Sequence, residues 1–330
     1  MSTDLPFSTA QIWRARQRIA PYIRRTPLHY SAPFSQRLGA PVYFKMECWQ
    51  VCGCFKVRGT VNMVASLSAK ERASGLVTTS SGNHGIALAY ASSLFGHPPV
   101  TVFLPQDSDP TKIAKLQATG ARTEFCGRTY AEAFEQAQVF VRETGATYVH
   151  SHNHPWIIAG QGTIGLEVLE DLAGVETIVV PIGGGGLVAG ITAAVKDFAP
   201  DVQIVGVEPA AAPGAWMSLR DGVAHEQIQT QPSIADGLLG GFGSLPFQIT
   251  RDRLTRVELV EDCEILPALD FLQSDEQLIV EPAAAIGLAA ALAGKISLHG
   301  RRTVFILTSR NVDAVKYRRL IEQQQREEHQ

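Results

Sequence analysis

The amino-acid sequence predicts an α/β protein built on parallel β-sheet, and three observations support this fold class. Short apolar segments alternate with amphipathic helical windows along most of the chain, which is the order typical of βαβ units. The chain has 330 residues, which corresponds to two domains at roughly 150 residues per domain. Hydrophobic residues make up 45% and charged residues 18% of the chain, so it can bury a sizeable core.

The predicted elements follow one another in a regular order. An amphipathic helix over 9–23 places Ile12, Ile19 and Ile23 at helical spacing, after a cap at Ser8 or Thr9. Buried strands are predicted at 41–47, 75–81, 99–105, 121–127, 177–183, 203–209 and 302–309. Helices are predicted after Lys56, over 85–96, 111–120 and 129–144, and from the glycine run at 183 to Ala199. Residues 209–250 are rich in Gly, Pro and polar residues, and are predicted to be loop with short helices over a cleft.

Composition and charge exclude several classes of function. The formal net charge is −3 without a block of like charges, which gives no reason to expect nucleic acid or an acidic membrane as a partner. A small molecule is the expected partner. The N-terminus has no apolar run, and the most apolar stretch, 283–294, is too short to span a bilayer. Neither an export signal nor a membrane span is therefore expected.

The five cysteines are an odd number, and three of them lie within seven residues, which is unlike a disulfide framework. They are Cys48, Cys52, Cys54, Cys126 and Cys263. The clustered three lack a fourth ligand in sequence, so no metal cluster is expected. We expect a reducing compartment, the cytoplasm.

Four consecutive glycines follow the apolar segment TIVVPI and precede a helical window. They are Gly183, Gly184, Gly185 and Gly186. Without Cβ atoms their backbone N–H groups can converge, and the following helix N-terminus adds positive potential, so the run predicts a phosphate site. No Gly-Lys-Ser/Thr follows and no dinucleotide fingerprint is present, which favours a monophosphate. The alternative is a tight turn that lets the helix pack closely.

Two other segments point to chemistry. The sequence SSGNHG at 80–85 brings hydroxyls, an amide and free N–H groups to a helix start, as either an anion site or an N-cap cluster. Lys56 lies in CGCFKVRG, where apolar neighbours would lower the pKa of its amine and make it nucleophilic. An ordinary surface lysine is the alternative for Lys56.

These segments resemble, in order, the motifs of one family. FKME at 44–47, Gln50 and GCFKVRG at 53–59 resemble the lysine motif of fold type II pyridoxal-phosphate enzymes, the serine/threonine dehydratase and serine racemase family. The further matches are SSGNHG, GQGT at 160–163, the four glycines, IADG at 234–237, EP at 281–282 and NVD at 311–313. The resemblance extends from about residue 15 to residue 315.

The resemblance implies a tryptophan synthase β-like fold. Such a fold has two open, twisted, mainly parallel sheets with flanking helices and the cofactor in the cleft between two domains. The implied large domain comprises 1–74 and 151–330, and the small domain, 75–150, is inserted in it. We expect a homodimer, and since the chain ends soon after the last motif, a short catabolic type without a regulatory domain.

Carried over position by position, the resemblance implies a pyridoxal 5'-phosphate site. Lys56 would bind the cofactor covalently beside Phe55, Asn83 would donate to its phenolate oxygen, and the four glycines would hold its phosphate. Thr308 would face the pyridine nitrogen, where a hydroxyl makes the cofactor a weaker electron sink than a carboxylate does.

The resemblance also implies substrate-binding residues. These are Ser80, Ser81, Gly82, Asn83, His84, His152, Asp236 and Gly237. Lys56 and Ser81 are the implied catalytic residues. Ser81 resembles the serine that faces the lysine across the cofactor in serine racemases, or it only binds the substrate carboxylate. Arg58, His84 and Glu281 are expected to support the site.

The implied reaction is elimination from a β-hydroxy-α-amino acid, which gives a 2-oxo acid and ammonia. Lys56 would remove the α-proton, and the β-hydroxyl would leave with a proton from the cofactor phosphate or a nearby group. Two alternatives remain, an amino-acid racemase that uses Lys56 and Ser81 on opposite faces, and a non-catalytic pyridoxal-phosphate protein.

Several residues depart from the family pattern near the expected substrate. Cys52 and Cys54 stand where Thr and Ser are usual, HSHNHP replaces the usual segment at 150–155, and Arg310 replaces Gly. These changes predict an altered substrate more than an altered reaction. Threonine and serine are the default, and 3-phenylserine, as in a phenylserine dehydratase, is the larger candidate. The three histidines of that segment form either a pocket lining, which we favour, or a metal site.

The family's cation site is incomplete in this sequence. Its pattern needs a Glu after a strand and an Asp six residues later, but here Glu208 is followed at that distance by Gly214. Losing one carboxylate weakens divalent binding. We expect no metal requirement, with Glu208 a weak candidate ligand that serves as a hydrogen-bond acceptor.

Overall fold

The structure is a computed structural model that describes residues 7–80, 82–106, 108 and 110–328. Within these ranges the chain forms two sheets. The strands are β1 Leu28–Tyr30, β2 Val42–Lys45, β3 Leu76–Thr79, β4 Val100–Leu104, β5 Arg122–Phe125, β6 Thr147–Tyr148, β7 Thr177–Pro181, β8 Gln203–Pro209, β9 Arg256–Val260 and β10 Thr303–Ile306. The large sheet has the order β1-β2-β10-β7-β8-β9 and the small sheet the order β5-β4-β3-β6. Neighbouring strands are parallel, except that β1 runs antiparallel to β2.

Helices connect the strands. They are α1 Thr9–Ile19, α2 Ala32–Leu38, α3 Lys56–Ser66, α4 Ala69–Ala73, α5 Asn83–Leu94, α6 Pro110–Gln117, α7 Tyr130–Thr144, α8 Pro155–Asp171, α9 Gly186–Lys196, α10 Gly214–Asp221, α11 Ser244–Thr250, α12 Asp262–Ser274, α13 Pro282–Leu292 and α14 Ala314–Glu328. Local capping explains several starts. At α7, the Thr129 hydroxyl accepts from the N–H of Glu132, whose carboxylate accepts from Thr129 N–H in return.

The predicted fold class is confirmed, and each predicted strand is present, with shorter ends except for β8, which spans the predicted 203–209. β1, β6 and β9 were not predicted. β6 has only two residues, and β9 lies at a sheet edge with Arg256 and Glu258 half-buried, so neither shows the apolar run of a central strand. α1 ends at Ile19, before Pro21, rather than at residue 23.

Both faces of the large sheet are buried. Along β7, Val179 points into the core formed with α12, α13 and α14, whereas Ile178 and Val180 point into the core formed with α8 and α9. β10 alternates in the same way, with Phe305 on the first side and Val304 on the second. This two-sided burial explains why the central strands are almost wholly apolar.

Two glycines allow three helices to cross closely beside the large sheet. A Cβ at Gly160 of α8 would lie 2.5 Å from the carbonyl oxygen of Arg58 in α3. A Cβ at Gly162 would lie 2.8 Å from the carbonyl oxygen of Gly190 in α9. The absence of side chains at these positions therefore fixes the start of α3, where Lys56 lies, against α8.

Strands between residues 76 and 148 form the small sheet, and those before and after form the large sheet. The domain boundaries given by the resemblance, 74/75 and 150/151, stay a prediction. Among the described residues, none of the helices combines the length and the apolarity that crossing a membrane would require.

Candidate active site

A cavity of about 190 Å³ lies where strands of the two sheets end. Thr79 and Ser80 at the end of β3, the glycine run after β7, and Thr308 after β10 line it together. The carboxyl ends of parallel strands form such crevices at the same edge of a sheet. Every residue that the resemblance assigns to the cofactor or the substrate lines this cavity, apart from Ser81, which lies outside the described residues. Glu208 does not line it, and neither does Arg58, which is fully buried in ion pairs with Glu47 and Glu167.

Lys56 begins α3 beside the end of β10. The backbone before it is held by an antiparallel bridge between Cys54 and Ser309 and by a 3.1 Å hydrogen bond from Phe55 N–H to the Thr308 carbonyl. The Lys56 ammonium group donates to the carbonyl oxygen of Ser151 at 3.2 Å. Removal from water lowers the pKa of this amine. Lys56 is therefore a cavity residue and not a surface lysine, and its role as a nucleophile stays a prediction.

The four glycines form a loop that side chains could not occupy. A Cβ at Gly184 would lie 2.3 Å from the His152 ring, and a Cβ at Gly185, whose φ is +92°, would lie 2.3 Å from the Phe242 ring. α9 begins at Gly186, so its first N–H groups have no partner within the helix and face the loop. The loop therefore lies at a positive helix end that favours an anion, and phosphate binding by the four glycines stays a prediction.

The 80–85 loop is organised by its own side chains. The Ser80 hydroxyl accepts hydrogen bonds from the N–H groups of Gly82 and Gly85, both at 3.2 Å. It therefore stabilises the start of α5, as the N-cap alternative expected. His84 is buried, its Nε2 lies 3.1 Å from the Val149 carbonyl, and burial lowers its pKa to about 3. Its imidazole is neutral at pH 7.

Asn83 belongs to a polar network on the same side of the cavity. Its Nδ2 donates to Glu281 at 2.8 Å, and its Oδ1 accepts from Asn311 Nδ2 at 2.7 Å. The Glu281 carboxylate also accepts from the Asn311 N–H at 3.0 Å. These contacts fix the Asn83 amide, whose Nδ2 has a second hydrogen for a ligand.

Lys112 is a cavity residue that the sequence did not reveal. Its ammonium group lies 2.9 and 3.0 Å from the Asp236 carboxylate oxygens and 3.4 Å from Glu281. Asp236 and Gly237 lie in a short 3₁₀ turn, and the stem of Lys112 covers Gly82. A lysine in an amphipathic helical window has no pattern that distinguishes it from a solvated one.

The histidine segment does not form a metal site. His150 Nδ1 accepts from the N–H groups of His152 and Asn153, and His154 Nδ1 accepts from Trp156 N–H at the start of α8. Only His152 of the three lines the cavity. Within the described ranges no cluster of three His, Cys, Asp or Glu residues could hold a metal ion.

Of the other departures, only Cys54 reaches the cavity. Cys52 lies in the left-handed region with φ +65°, and its carbonyl accepts from Asn311 Nδ2 at 2.8 Å. Arg310 is exposed, and its side chain passes beside Gly53. The expectation that the departures lie near the substrate is therefore wrong for Cys52 and Arg310, whose side chains do not line the cavity.

Glu208 lies outside the cavity and is fully buried. Its carboxylate accepts hydrogen bonds from the N–H groups of Ala215 and Trp216, at 2.8 and 3.0 Å, at the start of α10. Burial raises the pKa of this carboxyl to about 8, although the two N–H donors act in the opposite direction. Glu208 thus acts as the hydrogen-bond acceptor that the sequence suggested.

The cavity residues fit a phosphorylated aldehyde. The amine of Lys56 and a glycine loop with no room for side chains line the same cavity, and α9 begins at this loop with a helix end that favours an anion. A family model described as "Pyridoxal-phosphate dependent enzyme" matches residues 19–309. The chain belongs to this family. Pyridoxal 5'-phosphate is accordingly its cofactor.

Three relatives show how this pyridoxal-phosphate enzyme compares with known proteins. It is 38% identical to L-threonine ammonia-lyase of Thermotoga maritima over 94% of this chain and 77% of the relative. It is 37% identical to L-threo-3-hydroxyaspartate ammonia-lyase of Saccharomyces cerevisiae, over 93% and 94%. The solved structure of maize serine racemase aligns with a TM-score of 0.88 at 33% identity, over 98% and 99%.

Proposed function

We propose that this pyridoxal-phosphate enzyme is an ammonia-lyase that converts a β-hydroxy-α-amino acid to a 2-oxo acid and ammonia. One observation carries the proposal: Lys56, the glycine loop and Thr308 line one cavity. Likeness to L-threonine and L-threo-3-hydroxyaspartate ammonia-lyases supports the same reaction class. Serine, threonine and a bulkier amino acid such as 3-phenylserine are the candidate substrates.

The bound cofactor supplies an electron sink for the pair left when a proton departs from the substrate Cα. Lys56 is the proposed base for that proton. Its lowered pKa leaves Nζ neutral more readily than an exposed lysine, and the 3.2 Å contact to the Ser151 carbonyl orients it. Thr308, at the proposed pyridine-nitrogen position, is a neutral hydroxyl that cannot act as a carboxylate would.

The other residues hold the reactants. The glycine loop and the start of α9 would bind phosphate, and Asn83, fixed by Glu281 and Asn311, would donate a hydrogen bond to the cofactor's phenolate oxygen. The start of α5 is the proposed position for the substrate carboxylate, at the positive end of the helix.

Amino-acid racemisation is the second candidate, because the fold is so similar to that of maize serine racemase. It needs a proton donor on the face opposite Lys56, for which Ser81 is the proposed residue. A homodimer and a cytoplasmic location also stay predictions.

The experiment incubates the purified holoenzyme with L-serine, L-threonine and 3-phenylserine, and measures 2-oxo acid, ammonia and D-isomer. We expect 2-oxo acid and ammonia in equal amounts, in excess of D-isomer. Lys56→Ala should remove the visible absorption of the bound cofactor and lower activity by about 10³-fold or more, whereas Lys70→Ala, at an exposed site, should do neither. A D-isomer excess would replace the lyase proposal with the racemase.

A further inference from the structure

One wall of the cavity is aromatic. Tyr130 at the start of α7 and His152 before α8 line it, and we call these two side chains the aromatic wall. A second row of rings lies behind them. His150 contacts His152 edge-on at 4.5 Å between ring centroids, and Phe134 stacks with Tyr130 at 6.5 Å. Tyr148 connects the two, at 5.5 Å from Phe134 and 5.9 Å from His150.

The His152 ring is held in place on several sides. It lies against Gly184, where a Cβ would be 2.3 Å away, and beside Gly243, where a Cβ would be 3.1 Å away. Its Nδ1 lies 2.9 Å from the Ser151 hydroxyl, and Lys56 binds the Ser151 carbonyl. His152 therefore has a fixed position between the glycine loop and the reacting amine.

The aromatic wall carries no charge at neutral pH. Burial lowers the pKa of His152 well below its ordinary value and that of His150 to about 4. Removal of its hydroxyl from water also raises the pKa of Tyr130, although the residue as a whole is 40% exposed. A substrate group that binds at the aromatic wall therefore contacts uncharged aromatic rings and no cation.

The two lysines that line the cavity already have partners. Lys112 is bound by Asp236 and Glu281, and Lys56 is committed to the cofactor. Glu226 adds a third carboxylate to the lining. The described lining residues include no arginine. The second carboxylate of a dicarboxylic substrate would therefore lie near other carboxylates, and the lining cations are already neutralised.

We infer that the aromatic wall binds the β-substituent of the substrate and selects an uncharged aryl group over a carboxylate, with His152 as a specificity-determining residue. The inference rests on the proposed function and names its substrate class, the β-aryl-β-hydroxy-α-amino acids. The relative from Saccharomyces cerevisiae, named for 3-hydroxyaspartate, would differ in this respect.

The first test measures kcat/KM of the holoenzyme for 3-phenylserine, threonine and 3-hydroxyaspartate. We expect 3-phenylserine to exceed threonine by about 10-fold or more, since ring contacts and added apolar burial favour it. We expect 3-hydroxyaspartate to be the poorest of the three. A preference for threonine or 3-hydroxyaspartate would overturn the inference while leaving the lyase proposal intact.

Three variants locate the effect. His152→Asn should lower the preference for 3-phenylserine over threonine by about 10-fold. Tyr130→Lys, at a side chain that is 40% exposed, should raise kcat/KM for 3-hydroxyaspartate relative to threonine by supplying a cation. His97→Asn is the matched control, because His97 is exposed at φ +53°, which Asn tolerates, and it should change neither ratio. Equal losses on all substrates in His152→Asn would contradict a role in specificity.

A binding measurement keeps the two proposals separate. L-phenylalanine and L-aspartate lack the β-hydroxyl and cannot undergo the elimination, so their dissociation constants are measured from the change in cofactor absorption. L-phenylalanine should bind more tightly, and His152→Asn should reduce its advantage. If no hydroxy amino acid is turned over, the lyase proposal fails, and the two dissociation constants alone then test the role of the aromatic wall. Tighter binding of L-aspartate than of L-phenylalanine would refute that role.

Discussion

Lys112 of α6 reaches Asp236 in the 3₁₀ turn beside the large sheet, with its Nζ 2.9 and 3.0 Å from the two carboxylate oxygens. α6 lies next to β5 of the small sheet, so this ion pair connects the two sheets at the cavity. A second hydrogen bond also holds α6, in which the Thr111 hydroxyl donates to the Asp313 carboxylate at 3.1 Å. The side of the cavity formed by α6 is thereby held against the large sheet.

Removing the Lys112 charge should therefore destabilise this connection. Lys112→Met leaves Asp236 and the buried Glu281 as neighbouring carboxylates, and we expect a loss of about 1–3 kcal/mol in the free energy of unfolding. kcat/KM should also fall. Thermal unfolding and steady-state kinetics measure both, with Lys115→Met at an exposed site of the same helix as the control. The double variant that also carries Asp236→Asn should regain part of the lost stability. If its loss equals the sum of the losses in the two single variants, Lys112 and Asp236 are not coupled.

The fold was predictable where the sequence pattern is local. β7 reads TIVVP because both of its faces are buried, and β10 shows the same continuous apolar run. β9 could not be predicted in this way, since its residues are mostly half-buried at a sheet edge. The same holds for the site. Lys56 and the four glycines were predictable because each lies in a short segment with a recognisable pattern.

Other parts of the site depend on tertiary packing. Lys112 is buried only because Gly82, Asp236 and Glu281 surround its stem and head. Tyr130 lies at the start of a predicted helical window, and nothing in its neighbouring residues shows that it lines the cavity with His152. Such contacts join segments far apart in the chain, and one sequence carries no signal for them.

Gly185 should be intolerant of any side chain. Gly185 has φ +92° and its added Cβ would lie 2.3 Å from the Phe242 ring, whereas Gly222 has φ +71° with open space around it. Gly222→Ala should cost about 1 kcal/mol from backbone strain alone. Gly185→Ala should cost at least about 2 kcal/mol more from overpacking, and should weaken cofactor binding. Denaturant unfolding and cofactor titration measure these effects; equal losses in the two variants would mean that the Phe242 contact relaxes freely.

His150 should make the enzyme sensitive to acid. Its pKa falls from 6.5 in the unfolded chain to about 4 in the fold, chiefly because of burial and also because of His154. Between these values the unfolded state binds more protons, so stability is present above pH 6.5 and is lost as pH falls towards 4, by up to about 3 kcal/mol.

His150→Asn should flatten that dependence, because the amide oxygen can accept the same backbone N–H groups without titrating. The free energy of unfolding is measured for both proteins from pH 7 to pH 4. The difference in free energy of unfolding between the two proteins at pH 7 reports the lost ring packing. The change of this difference with pH reports the titration of His150. A difference that stays constant over this range would place the acid sensitivity elsewhere.

Removing divalent cations should leave activity unchanged. The Glu208 carboxylate is engaged by the N–H groups of Ala215 and Trp216, and the position six residues beyond it is Gly214, which offers no side-chain oxygen. A single carboxylate provides too few oxygen ligands for tight Mg²⁺ or Ca²⁺ binding. Dialysis of the holoenzyme against a chelator, followed by assay with and without added Mg²⁺ or Ca²⁺, tests this expectation. A large loss that either cation restores would mean that backbone oxygens and water complete a site at Glu208, and Glu208→Gln should then abolish the restoration.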